Sequence, residues 1–261
     1  MTPALLSYTD LAIAATLVIL NAVLSLLLNL RLARVMLIAG VRVVVQLLLV
    51  GLVLKTVFTL ASPLLIAAVI LAMFATASYE IASRQERRFT GGWAIGVGAG
   101  TTMLATMFVT TFALATLRPD PWFAPQVVIP LVGIVLGSGV SISLNAFNTG
   151  IVRERPAIEG QLALGASRFE ALKSLQRSAL RSGMIPIINQ MSAAGIITLP
   201  GMMTGQILAG MPPFEAAKYQ IFVLFLLAGG SGLGALAATY VAVWRTTDVR
   251  DRLRLDRLRQ I

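Results

Sequence analysis

The chain has no cysteine and no histidine among its 261 residues, and only 12% of its residues are charged. Without thiols or imidazoles it can form no disulfide, no usual zinc or iron–sulfur site, and no cysteine- or histidine-dependent catalytic site. Soluble domains of this size carry about a quarter charged residues, so this chain has too little polar surface to cover itself in water. Carboxylates, amides, hydroxyls, thioethers and the backbone remain for any chemistry.

Apolar residues dominate the composition, at 57% hydrophobic with a mean hydropathy of +0.85. Crossing a bilayer core as a helix takes about 20 mostly apolar residues. Seven segments reach that length: Tyr8–Leu30, Val35–Val57, Pro63–Ser83, Gly92–Leu117, Gln126–Asn148, Met184–Ala209 and Ala217–Trp244. The sequence therefore predicts an all-α polytopic membrane protein with about seven transmembrane helices. No polar linker divides it, so one transmembrane domain over residues 1–261 is expected.

Basic residues are distributed unevenly between the loops of this topology. Most of the 21 lysines and arginines lie between spans one and two, three and four, or five and six, or after span seven. This asymmetry predicts an outside N-terminus and a cytoplasmic C-terminus. The net charge of +10 is then mainly a topology signal. The expected partner of that charge is anionic lipid, and not nucleic acid.

The longest predicted cytoplasmic segment, residues 150–183, has the pattern of two helices separated by glycine. Gly165 can end the first helix in a left-handed conformation. Ser167 and Glu170 are spaced as a capping box for the second helix. Apolar residues beginning at Phe169 then recur at helical spacing. The pattern fits an interfacial helix lying on anionic lipid, and equally a docking element for a cytoplasmic partner.

The stretch ITLPGMMTGQILAG (Ile197–Gly210) places a proline and three glycines inside the sixth predicted span. Pro200 lacks the backbone donor of a regular helix, while Gly201 and Gly205 add backbone freedom. A broken helix survives in a bilayer only where protein or a water-filled cavity satisfies the freed backbone groups. Residues 199–205 are therefore expected to face the bundle interior or a permeation path.

Met202 and Met203 lie in this stretch and raise the question of a metal site. Thioethers are soft ligands that favour Cu(I), and adjacent residues on a helix point about 100° apart. Packing at a moving interface is the favoured role for both methionines. For a hard cation such as iron, the oxygens of Thr204 and Gln206 are the expected donors. The sequence alone does not identify a metal.

Other polar or helix-distorting residues within the spans join the candidate translocation path or gate. Arg42 and Gln46 share a face of span two, where a cavity-facing and a snorkelling arginine are equally favoured. The remaining candidates are a proline in the fifth span and two amides early in the sixth: Pro130, Asn189 and Gln190.

The C-terminal segment, residues 245–261, is expected to form a short amphipathic helix from Thr246 onward. Val249, Leu253 and Leu258 would make its apolar strip among alternating aspartates and arginines. Anchoring at the membrane surface is the favoured role, with contact to a cytoplasmic partner as the alternative.

The residues Glu159–Ala166 (EGQLALGA) resemble the EAA-x3-G signature of ABC-importer permeases, in which this loop sits in a groove of the ATPase subunit. A closer resemblance, spread over nearly the whole chain, is to the FetB (YbbM) family of ABC permeases, linked to iron export and with plant relatives linked to aluminium tolerance. Its motifs are VRVVVQLLLVG (Val41–Gly51), PQVVIPLVGIVLG (Pro125–Gly137), LALGAS (Leu162–Ser167), LPGMMTGQILAGMPP (Leu199–Pro213) and KYQI (Lys218–Ile221).

The resemblance implies a permease homodimer with two copies of a separate cytoplasmic ATPase, in the cell inner membrane. It implies that the residues around Gly165 couple to that ATPase: Glu159, Leu162, Leu164, Gly165, Ala166, Ser167 and Phe169. The chain has no G-x-x-x-x-G-K-[ST] motif, so ATP and Mg are expected in the partner, and no cofactor in this chain.

The expected function is ATP-driven export of a metal cation, with iron suspected. A secondary transporter driven by an ion gradient is the alternative, but it needs titratable groups that the spans almost lack. An intramembrane enzyme using Ser138 is disfavoured, because no histidine can activate that hydroxyl.

Overall fold

The computed structural model describes residues 7–60, 62–136 and 139–260. The chain clusters into two compact units, Met1–Ser62 and Pro63–Ile261. Both units are built of helices, and this confirms the predicted all-α polytopic membrane fold. Ser138 lies outside the described residues, and the single domain over 1–261 stays a prediction.

The first unit consists of α1 (Tyr8–Leu27) and α2 (Ala33–Leu60). Ser7 and Asp10 form a capping box at the start of α1, which satisfies backbone donors of its first turn. At the other end Asn29 takes a left-handed conformation (φ 52°) and turns the chain toward α2. Most apolar side chains of both helices are exposed, as expected for surfaces that face lipid.

The second unit contains nine helices and two short strands among its described residues. The helices are α3 (Pro63–Ser83), α4 (Trp93–Leu117), α5 (Pro125–Leu136), α6 (Val140–Arg153), α7 (Arg155–Ala163), α8 (Arg168–Ala171), α9 (Lys173–Ala193), α10 (Gly201–Leu208) and α11 (Pro213–Thr246). The strands are β1 (Arg87–Phe89) and β2 (Leu258–Gln260), with a 3₁₀ turn at Leu255–Arg257 just before β2.

Six stretches of the described chain are long and apolar enough to cross a membrane: α1, α2, α3, α4, the run Pro125–Arg153 and α11. The predicted sixth span, Met184–Ala209, is not one of them. It is interrupted between Ala193 and Gly201, where the sequence predicted a break. The predicted orientation of the termini stays a prediction.

The largest core cluster of the second unit lies where α6, α8, α9 and α11 meet. Phe147 and Ile151 of α6 are completely buried there against Leu172, Leu175 and Val243. Glycines let α6 and α9 approach backbone to backbone. A Cβ on Gly139 would overlap the carbonyl oxygen of Gly183. Small residues of this kind allow close helix packing where lipid supplies no hydrophobic drive.

The C-terminal segment is not a helix, and that prediction is wrong. After Thr246 the Asp248 carboxylate accepts the N–H groups of Arg250 (2.8 Å) and Arg252 (2.9 Å), which forms a turn. Such local side-chain bonds compete with helix formation. Val249 is 96% exposed, whereas Leu253 and Leu258 pack on the main core cluster, so the predicted apolar strip does not exist.

Instead, the tail forms a small ribbon with the segment between α3 and α4. β2 pairs antiparallel with β1. Buried Asn148 of α6 anchors this ribbon, since its Nδ2 donates to the Arg87 carbonyl (3.0 Å) and to Gln85 Oε1 (3.2 Å). The ribbon is the one departure from an all-α fold within the described residues, and neither strand was predicted.

Candidate coupling face and helix break

The turn between α7 and α8 has the predicted left-handed glycine. Gly165 has φ +93°. Its N–H group and that of Ala166 donate to carbonyl oxygens in the last turn of α7. The Gly165 N–H donates to the Leu162 carbonyl and the Ala166 N–H to the Gln161 carbonyl, both at 3.1 Å. This pair of bonds is a Schellman motif. A Cβ on Gly165 would meet nothing within 4 Å, so backbone conformation, and not space, favours glycine here.

The start of α8 carries the predicted capping box. One carboxylate oxygen of Glu170 accepts the Ser167 N–H (2.9 Å) and the Ser167 hydroxyl (2.6 Å). These hydrogen bonds from Ser167 favour the charged carboxylate and lower the pKa of Glu170 below its ordinary value. Gly165 and the box together fix the direction in which the chain enters α8.

The pH dependence of the Ser167–Glu170 capping box follows from the lowered pKa of Glu170. Because the folded-state pKa of Glu170 is depressed, its stabilisation is full above the unfolded pKa and is lost as the pH falls through the lowered value. We expect hydrogen-exchange protection of the Ser167 amide, corrected for intrinsic rate, to decline over that acidic range. In Glu170→Gln it should be weaker and flat with pH. Equal protection in both proteins at every pH would contradict the assignment.

The inner side of the coupling segment is part of the core. Ile158 of α7 and Ala171 of α8 are buried in the main cluster, and Leu162 and Ala166 pack against its edge. A helix lying loosely on lipid would leave its apolar side free of protein contact. The segment is therefore held rigidly by the second unit.

The outer side presents the other predicted coupling residues. Leu164 is 90% exposed at the tip of the turn. Glu159 is exposed and paired with Arg155 (2.8 Å). The Phe169 ring is half-exposed and lies 5.6 Å from the Tyr240 ring of α11.

A contact that sequence reasoning missed ties the tail to α8. Arg168 pairs with Asp251 (2.5 Å), and its guanidinium lies 3.4 Å from the Thr247 hydroxyl. The Arg168 side chain is only 20% exposed, so this pair is better shielded than a typical surface ion pair. Alternating charges in the tail were the only available signal, and they do not specify a partner.

The break in the sixth predicted span is a compact turn. Gly195 has φ +83°, and the Ala193 carbonyl accepts the N–H groups of Ile197 (2.9 Å) and Thr198 (3.1 Å). Pro200 then precedes α10 in an extended conformation, and Gly201 is the first helical residue. The turn thus provides hydrogen bonds for some of the backbone groups that a broken helix leaves unpaired.

The apolar residues of this turn are not covered by the chain itself. Ile196 is 89% exposed, Ile197 80% and Leu199 70%. Gly201 and Gly205 are also exposed on α10. None of residues 199–205 is buried within the described chain, so they do not line the interior of its own bundle, and their alternative place beside a permeation path stays a prediction.

Adjacent side chains of α10 differ in burial, because they point in different directions from the helix. Met202 is exposed and Met203 is partly buried, in keeping with side chains that point apart. The Thr204 hydroxyl donates to the Pro200 carbonyl (3.2 Å). The Gln206 Oε1 atom is buried and accepts no hydrogen bond from the part of the chain that the structure describes.

The other predicted path residues are scattered. Gln190 of α9 lines a small cavity of about 100 Å³ together with Ser231 of α11, and both Gln190 and its neighbour Asn189 are exposed. Pro130 lies inside α5 with its side chain exposed. Arg42 and Gln46 lie on α2 in the first unit, both exposed.

A line of buried hydroxyls on α4 was missed by sequence reasoning. Thr102, Thr106 and Thr110 follow one another at four-residue spacing, and none of the three hydroxyls has a hydrogen-bond partner among the described residues. The signal was present in TTMLATMFVTT, a polar stripe at helical spacing inside an apolar span. On α11 the buried Gln220 Oε1 is likewise without a partner.

Acidic residues do not converge on a metal site. Within the described part of the chain, no three Asp or Glu residues come together in a group that could hold a metal ion.

The helices, the anchored segment around Gly165 and the interrupted span together define a polytopic membrane permease. The chain belongs to the family described as "Uncharacterised protein family (UPF0014)", which matches residues 8–246. This family is a permease component of ABC transporters, and such permeases imply an ATPase partner.

Three relatives illustrate the breadth of the family. "Probable iron export permease protein FetB" of Escherichia coli is 30% identical over 258 residues, which cover 96% of each chain. A UPF0014 membrane protein of Synechocystis is 35% identical over 208 residues, covering 77% of this chain and 78% of the relative. "Protein ALUMINUM SENSITIVE 3" of Arabidopsis thaliana is 30% identical over 233 residues, covering 88% and 84%. No solved structure matches the chain.

The predicted family, permease function and multi-pass membrane localisation are thereby confirmed. The individual coupling and path residues stay predictions.

Proposed function

We propose that the chain is the membrane-spanning subunit of an ABC exporter of metal cations, with iron as the substrate. The observation that carries the proposal is the turn at Gly165. It holds an exposed leucine, Leu164, on a segment whose other side is fixed in the core. A rigid support with an apolar tip is suited to entering a groove on a partner protein. A transport subunit needs such a rigid contact to receive mechanical work.

The route from this contact to the membrane runs along α8 and α9. Leu172 joins the two helices in a right-handed helical conformation, so they follow one another without a loop. The contact between Gly139 and Gly183 locks α9 to α6. Motion of the tip would therefore reach the break after Ala193. The turn at Gly195 and Pro200 serves as the hinge or gate.

The exposed break supports a homodimer. Ile196, Ile197 and Leu199 are apolar and uncovered in a single chain. A second copy would cover the break and place Thr204 and Gln206 of both copies beside a shared path. Oxygen donors of this kind suit a hard cation better than the thioethers of the neighbouring methionines.

Iron as the substrate rests on the name of the Escherichia coli relative, which matches almost the full length of this chain. Nucleotide chemistry is assigned to a separate ATPase, which binds ATP and Mg, because the chain lacks a phosphate-binding loop. The chain itself is a transport subunit and not an enzyme.

ATP-driven flux is the test. The chain, reconstituted with its ATPase in vesicles whose cytoplasmic face points outward, should accumulate iron when ATP and Mg are added outside. Iron, manganese, aluminium and copper are compared by metal analysis of the vesicle lumen. A partner whose phosphate-binding lysine is replaced is the control, and it should give no accumulation. Iron flux driven by an ion gradient without the ATPase would establish the secondary transporter instead.

A further inference from the structure

The β1–β2 ribbon forms one wall of an open cavity of about 550 Å³. Arg88 and Arg259 contribute to its lining, together with Thr90, Gly91 and Ala94 at the start of α4. None of these residues belongs to the coupling segment or to the helix break. The cavity is large enough for a small polar group such as a phosphate and its substituents.

The strand register places two like charges side by side. Arg88 and Arg259 are direct partners across the ribbon, so their side chains project from the same face. Like charges directly opposite each other on neighbouring strands are destabilising. The adjacent pair is different, because Arg87 donates to the Gln260 side chain (3.2 Å). The ribbon therefore directs an arginine–glutamine pair with one charge to one face and an arginine–arginine pair with two charges to the other.

Two other arginines of the tail are engaged within the chain. Arg254 pairs with Asp256 (2.9 Å), and Arg257 donates to the Arg245 carbonyl (2.9 Å). In contrast, neither Arg88 nor Arg259 forms an ion pair with any carboxylate of the residues that the structure describes. Within the described chain, both guanidiniums are therefore open to an anion from outside it.

Two tryptophans fix the level of the cavity in the membrane. Trp93, next to Ala94 in sequence, has its ring 6.0 Å from that of Trp244, and both rings are exposed. The Arg245 guanidinium lies 5.1 Å from the centre of the Trp93 ring. Tryptophan is enriched where the hydrocarbon core meets the headgroups. The cavity therefore lies beside the headgroup layer, at the end of the unit that carries Leu164.

We propose that this cavity binds the phosphate of an anionic phospholipid, held between Arg88 and Arg259. Arginine forms charge-assisted, bidentate bonds to phosphate oxygens, and two guanidiniums on one face can hold one phosphate from two sides. Free phosphate shares this chemistry. A lipid is favoured because its acyl chains would lie along the exposed Trp93 and Trp244 rings.

Quenching of tryptophan fluorescence by brominated lipids tests the site on the purified full chain in detergent. Brominated phosphatidylglycerol is titrated against brominated phosphatidylcholine. The double variant Arg88→Gln/Arg259→Gln should bind phosphatidylglycerol at least about tenfold more weakly, as loss of charged hydrogen bonds implies. The control Arg250→Gln/Arg252→Gln removes the same number of charges from the tail, outside the cavity. It should change the affinity only about threefold through diffuse attraction.

A third variant separates charge from folding of the ribbon. Arg88→Lys/Arg259→Lys keeps both charges but not the bidentate geometry, and its affinity should lie between those of the unaltered chain and the glutamine double variant. Equal weakening in the glutamine double variant and its control would overturn the proposal in favour of diffuse charge. Complete displacement of the lipid by millimolar inorganic phosphate would overturn the lipid as the source of the anion. Loss of ATPase binding with unchanged lipid binding would assign the arginines to the protein partner and would also overturn it.

Discussion

Replacing Leu164 with aspartate is expected to abolish coupled transport while leaving the permease folded. The side chain is 90% exposed, so the change removes no internal packing. At the centre of a docking surface, however, a truncated apolar anchor costs about 2 kcal/mol or more, and a buried unpaired carboxylate costs further. We expect the affinity for the ATPase to fall by about 100-fold or more, measured by titrating the ATPase against reconstituted permease.

Two comparison variants sharpen this result. Leu164→Met conserves volume and polarity and should retain both binding and flux. Val249→Asp introduces the same charge at an equally exposed apolar residue in the tail, and should have a much smaller effect. If Leu164→Asp bound the ATPase and transported like the unaltered chain, Leu164 would have no part in docking.

Replacing Gly183 with alanine is expected to cause the largest loss of stability. A Cβ on Gly183 would overlap the Ser143 hydroxyl and approach the Gly139 carbonyl oxygen to 2.7 Å. Ser143 is completely buried, so α6 and α9 must separate. Overpacking of this kind costs about 3 kcal/mol, which lowers the melting temperature by roughly 6–12 °C for a chain of this size. Thermal unfolding in detergent measures this change in melting temperature.

Gly160→Ala is the matched control. Gly160 lies within α7, is exposed, and a Cβ there would meet nothing within 4 Å. Alanine should stabilise that helix by up to about 1 kcal/mol. An equal melting temperature for the two alanine variants would show that α6 and α9 are not in the close contact described.

The features predicted correctly from the sequence are those that local chemistry determines. The left-handed Gly165 and the Ser167–Glu170 box depend on neighbours within a few residues, and both are confirmed. The break near Pro200 was equally visible, because proline and glycine interrupt helices wherever they occur. The six long apolar stretches followed from length and composition alone.

The features that sequence reasoning missed depend on distant partners. The tail pairs with residues about 170 positions earlier in the chain, and no local pattern in Leu258–Gln260 specifies that pairing. Asn148 was visible as a polar residue, but its bonds to Gln85 and Arg87 are long-range. The candidate translocation path was hard to predict for the same reason. The sequence identifies polar residues within the spans, but whether they line up depends on how the helices pack.

Because no loop separates α8 from α9, the two helices can move together as one lever arm. From Arg168 to Ala193 the two helices extend over about 39 Å at 1.5 Å per residue. A tilt of roughly 5° about the coupling end would displace the far end by about 3 Å, comparable to the diameter of a water molecule. Pro186 leaves one carbonyl of α9 without its usual N–H donor, which makes the distal third the more compliant part of the arm. In the proposed mechanism, a small angular stroke at the ATPase contact would thus move the helix end beside the break by about the width of a water molecule.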